Sequence, residues 1–166
     1  FRAALEYAVG DDALILQTQI ARTYVLRKNF EEARKLLQSV ESGVQSAGSE
    51  AQVRYWLELG RSYASHQHSA ESQSPESKQR ARAAFTRALS LAKEARLDGL
   101  AIDAVHMFAF VDTAPADQLK RGQEALDLVE ASDQPEAKRW EGSVHSNIGE
   151  ALFELGRYDE AQVHFR

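Results

Sequence analysis

Two small constellations carry side chains able to do chemistry. His66-x-His68 could set two imidazoles beside one metal ion, but two ligands do not complete a site, and the surrounding run HQHSAESQSPES has the composition of a solvated loop. Asp103 and His106 stand three apart on an expected helix, a spacing that lets a carboxylate orient an imidazole for proton transfer. No nucleophile or oxyanion device accompanies them, so a polar pair contacting a ligand or a neighbouring helix is the simpler reading. The chain contains no phosphate loop, dinucleotide fingerprint, nucleophile elbow or paired-histidine zinc helix. It has no Cys, which removes thiolate metal sites, disulfides and cysteine nucleophiles. The expectation is a protein that is not an enzyme, with no catalytic residue, no metal and no cofactor.

Whatever these residues do, helices must position them. In 166 residues, 43% hydrophobic and 27% charged, there is enough apolar material for a core. Only nine Gly and three Pro are present, and Pro75, Pro115 and Pro135 fall where polar clusters interrupt apolar patterning, which nearly excludes an all-β fold. A formal net charge of −5 argues against nonspecific binding to nucleic acid or anionic lipid, and no apolar run approaches the roughly 20 residues of a membrane span. A protein or peptide is the expected partner, with no nucleic acid and no membrane. The chain opens at Phe1 inside one amphipathic run and closes at Phe165-Arg166 inside another, as expected of a fragment of a longer protein; localisation stays open.

Apolar residues recur at three- and four-residue spacing in about nine segments, 1–9, 12–28, 30–46, 49–66, 77–96, 99–111, 115–132, 135–155 and 158–166. The segments repeat one another. Trp56-x2-Leu59-Gly60-x2-Tyr63 is followed by Ala81-x3-Phe85-x2-Ala88. An earlier copy reads Ile20-Ala21-x2-Tyr24 and Asn29-Phe30-Glu31-Glu32-Ala33-x3-Leu37, and a later one Ile148-Gly149-x2-Leu152 and Tyr158-Asp159-Glu160-Ala161-x3-Phe165, in ungapped register with the first. A third stretch, Ile102 to Ala125, lacks the tyrosine and has Gly122 where an aromatic is usual.

This spacing resembles the tetratricopeptide repeat superfamily over nearly the whole chain. The resemblance implies an all-α fold, a right-handed superhelical stack of antiparallel helix pairs. As one array it divides into 1–9 (second helix of a truncated repeat), 12–46, 49–96 with an inserted loop at 66–77, a degenerate repeat at 99–132, and a truncated one at 135–166. Ala21 and Gly60 are 39 residues apart, about five more than the 34 of the standard repeat, so lengthened helices are expected. Ala21, Gly60 and Gly149 should lie at close helix crossings, with Ala33, Ala81 and Ala161 opposite and Tyr24, Phe85 and Phe165 beside them. From Tyr63 to Ala81 is 18 residues and from Tyr24 to Ala33 only 9, so the 66–77 insertion should protrude.

Superhelical repeats bind through their concave face. The first helices should present there Arg22 with Ile15, Thr18 and Leu26; Arg54, Leu57, Glu58 and Arg61; Asp103, His106 and Phe110; and Asn147, Glu150 and Glu154. Arg22, Arg54 and Arg61 against Glu58 make the first part of this row basic, and Asp103, Glu150 and Glu154 make the second acidic. Leu57 and Phe110 are the apolar anchors. No lysine lies on the row and Thr18 stands where one would be wanted, so the carboxylate clamp of some chaperone-binding members is not supported. The expected function is an interaction scaffold or adaptor that takes a peptide or protein segment; the alternative is a ligand- or peptide-sensing regulatory segment of a larger protein. Uncapped end helices also predict self-association.

Overall fold

The computed structural model describes residues 2–64 and 74–166, with the side chain of Arg2 left aside. Among the described residues every regular element is helical. The helices are α1 (Arg2–Leu5), α2 (Gly10–Leu26), α3 (Phe30–Val44), α4 (Ser49–Tyr63), α5 (Pro75–Glu94), α6 (Asp98–Met107), α7 (Pro115–Ala131), α8 (Pro135–Lys138), α9 (Glu141–Glu154) and α10 (Tyr158–His164), with a 3-10 turn at Phe108–Phe110 after α6. They gather into two compact units, Phe1–Ala95 and Arg96–Arg166.

In the first unit α2 pairs with α3 and α4 with α5, and α4 packs onto both α2 and α3. In the second, α6 pairs with α7 and α9 with α10, and α7 packs onto α9. The short connections leave neighbouring helices antiparallel. Small residues set the crossings. A Cβ on Gly60 would collide with the Phe85 ring, and one on Gly149 would lie 2.5 Å from Cε1 of Phe165. Ala21, Ala33, Ala81 and Phe85 are fully buried, and Ala161 nearly so. The first pair sets fully buried Leu37 where the second and fourth have phenylalanine, beside Ala21 instead of glycine. In the third, Gly122 of α7 admits Ile148 of α9, with a would-be Cβ 2.6 Å from Ile148 Cγ1.

Turn chemistry repeats too. Gly156 closes the α9/α10 turn at φ +75°, and Lys28, 128 residues earlier, closes the α2/α3 turn at φ +63°. The next N–H in each, Arg157 and Asn29, bonds back to Leu152 O and Tyr24 O at 2.9 Å, a left-handed helix stop that glycine adopts without strain. Between pairs, Asp11 Oδ2 accepts the Gly48 N–H at 2.9 Å. In the second unit buried Ser132 donates to Asp98 Oδ2 at 2.5 Å, while Gln134 accepts the Asp98 N–H and donates to Arg96 O.

Three expected boundaries need correction. Gly10-Asp11-Asp12 opens α2 instead of breaking the chain, because carboxylates in a first turn suit the positive end of the helix dipole. The segment expected at 135–155 is two helices, α8 and α9, meeting at Arg139–Trp140. Helix α5 starts at Pro75, whose missing N–H costs nothing at that position, and Ser74 caps it by accepting the Ser77 N–H at 3.1 Å. Residues 65–73, and with them His66, His68 and most of the expected insertion, lie outside the described residues.

Candidate functional site

In each unit a polar rung joins two first helices. In the first unit, α2 lies against α4. Arg22, one residue past buried Ala21, reaches Oε1 of Glu58, two residues before Gly60, at 3.3 Å. Arg61 binds the same oxygen from one turn along α4, at 2.5 Å. The Glu58 and Arg61 side chains are 6% and 8% exposed, whereas that of Arg22 is 41% exposed. Removing one member of such a buried pair would strand the other charge, so Glu58 and Arg61 hold the row together from within.

In the second unit, Asn147, two residues before Gly149, donates from Nδ2 to Nδ1 of His106 at 2.9 Å. An accepting Nδ1 leaves the proton of the neutral imidazole on Nε2. The His106 ring lies 5.5 Å from Trp140 and edge-on to Phe110 at 6.3 Å, and all three are half-buried. By analogy with Arg22 and Ala21, this rung puts buried Val105 at the small-residue position of the third pair. Glu150 follows Gly149 on α9 and is exposed; Asp103 is half-buried on α6.

Several candidates change character. Leu57 is 1% exposed and is a core residue, because α4 is covered on more than one side; it offers no anchor. Thr18 is fully buried and donates to Ile15 O at 2.7 Å. Glu58 and Arg61 are interior links and not a free surface. Arg54 stays on the surface, paired with Glu50 at 2.8 Å. Arg22, Arg54, Asp103, His106, Phe110, Asn147 and Glu150 keep partial or full exposure.

Trp140 escaped the sequence reading. It stands nine residues before Gly149, as Ala51 stands before Gly60. A second miss lies elsewhere: Arg34 and Arg80 flank the Tyr63 ring at 5.3 and 5.5 Å, beside a cleft of about 420 Å³ between α3 and the start of α5. Among the described residues no group of three or more His, Asp or Glu is placed to hold a metal ion. No described helix is long and apolar enough to cross a membrane.

The family model of the tetratricopeptide repeat matches residues 143–166, which hold Gly149 and Phe165. Neither the curated proteins nor the solved structures give a match to the chain.

Proposed function

We propose that this chain, assigned to the tetratricopeptide repeat superfamily by that match and by its consecutive helix pairs, binds a peptide or protein segment along its first helices. The family is in general a protein-interaction module, which supports a binding role; the residues suggest the ligand chemistry. The reading rests on one observation: beside the buried residues Ala21 and Val105 the first helices leave half-exposed side chains, Arg22 in one unit and His106 with Trp140 and Phe110 in the other. Guanidinium forks at Arg22 and Arg54 suit carboxylates of the ligand. Trp140 and Phe110 suit an apolar or aromatic side chain, whose desolvation supplies more affinity than exposed charge pairs do. Glu150 and Asp103 suit lysine or arginine.

Peptides selected from a random library on the whole chain test this. Arg22→Glu with Arg54→Glu, and separately Trp140→Ala, should each weaken selected peptides about tenfold or more, the first pair only for acidic sequences. Peptides that bind all these variants as well as the parent would show that the first helices are merely a solvated face.

A further inference from the structure

The cleft between α3 and the start of α5 gathers three cations, one of them at a position where the other clear repeats carry an acid. In the first and fourth pairs the residue before the packing alanine is Glu32 and Glu160; in the second pair it is Arg80. Arg80 and Arg34 both lie over the Tyr63 ring, and Lys35 lines the cleft with them. Half-buried Arg34 is fixed by donating from Nη1 to Ser62 O at 2.9 Å, which orients a fork of five donors. Arg80 hydrogen-bonds the Tyr63 hydroxyl. Arginine only donates, so that hydroxyl accepts and keeps its own proton for a ligand.

The two acids of the cleft are more exposed than the bases they pair with. Glu31 meets Lys35 at 2.8 Å and Glu76 meets Arg80 at 2.6 Å, with both carboxylate side chains 73% exposed against 59% and 55% for the bases. Such surface pairs contribute little, so both acids can turn aside for a stronger anion. A phosphate monoester brings a charge near −2 and three acceptor oxygens to three cations and a hydroxyl, whereas a carboxylate brings half that charge. Three bases against two acids leave the lining at +1, which a phosphate with one basic neighbour balances, the neighbour taking a displaced acid. The cleft of about 420 Å³ has an exposed rim at Glu31, Lys35 and Glu76, too open to bury a small ester, so it suits a phosphate carried on a chain that runs on into solvent.

We propose that this cleft binds a phosphorylated side chain of a partner segment, with Arg34, Lys35 and Arg80 around the phosphate, the Tyr63 hydroxyl donating to it, and a neighbouring lysine or arginine of the ligand meeting Glu31 or Glu76. The cleft is built on the second helices α3 and α5 and the last residue of α4. It shares no residue with the first-helix row of the proposed function, and either can fail without the other.

The probe is an alanine-based peptide with one phosphoserine and, two residues away, one lysine. It carries a fluorescent label and is titrated into the whole chain at low salt. Its counterparts have serine or glutamate in place of phosphoserine. The phosphopeptide should bind roughly tenfold or more tighter than either, and exchanging its lysine for glutamate should weaken it several-fold. Arg80→Glu restores the acid of the first and fourth pairs, so it should keep the helical circular dichroism and lose the preference for phosphoserine. Lys35→Gln, at an exposed side chain, should weaken the phosphopeptide several-fold and leave the serine peptide unchanged. No binding at millimolar phosphopeptide, equal binding of the three peptides, or an undiminished preference in both variants overturns the proposal. So does inorganic phosphate that competes as tightly as the phosphopeptide binds, because the cleft would then read a free anion and not a partner's chain.

Discussion

Gly60→Ala adds one methyl group at the tightest crossing of the first unit. The new Cβ would lie 2.5 Å from Cδ1 and 2.9 Å from Cζ of Phe85, against about 3.5–4.0 Å for an ordinary carbon contact, so the ring would have to retreat by about 1 Å. Phe85 is fully buried and has nowhere to go. Overpacking of this kind costs about 1–3 kcal/mol or more, and the better helix propensity of alanine returns about 1 kcal/mol, leaving a net loss of about 1–2 kcal/mol. Phe85→Leu alone opens a void and should cost about 1–2 kcal/mol. The double variant recreates the Ala21 and Leu37 combination of the first pair, so it should fall within about 1 kcal/mol of the parent, a coupling near 2 kcal/mol. Urea unfolding followed by helical circular dichroism and by the fluorescence of Trp56 in a Trp140→Phe background measures all four corners of the cycle. A double variant as unstable as the sum of the singles would refute equivalent packing in the two pairs.

Three further outcomes follow from the same geometry. Lys28→Gly relieves a left-handed residue where the last pair already has Gly156, and should stabilise by about 0.5–1 kcal/mol; a fall in urea midpoint would contradict this. Ser132→Ala removes the buried hydroxyl that Asp98 accepts, and should cost about 1–2 kcal/mol, read as a lower thermal midpoint, with Ser132→Thr tolerated better. Burial, with Glu41 and Tyr63 nearby, pushes the Tyr55 hydroxyl up to about 12. Because an unfolded tyrosine ionises near 10, the stability tied to Tyr55 is complete below pH 10 and lost as pH rises towards 12. Tyr55→Phe should flatten that alkaline decline, and an unaltered decline would assign it to other groups.

The crossings were legible because their cause is local and chemical: Gly60 with Phe85 and Gly149 with Phe165 each leave a residue-type signature at fixed spacing. Surface and interior were harder to separate on α4. Its periodicity is helical whichever side faces inward, but α4 packs against α2, α3 and α5, so Leu57, Glu58 and Arg61 on a supposed outer row are interior. The charge count along the row changes with them, since Arg61 and Glu58 neutralise each other inside the first unit. The break at Arg139–Trp140 left no signal either: its residues are ordinary helix formers, and the chain turns there into the fourth pair. Trp140 was consequently read as part of one long helix and not as the aromatic beside His106.

The claim that the first helices form the recognition surface is tested most directly by amide chemical-shift mapping on the isotope-labelled whole chain titrated with a library-selected peptide. Shifts should concentrate at Arg22 and Arg54 or at His106, Phe110, Trp140 and Asn147, and saturate with the affinity measured for the peptide. Shifts centred instead on the exposed positions of the second helices, such as Ser39, Arg87 or Gln123, would contradict the account.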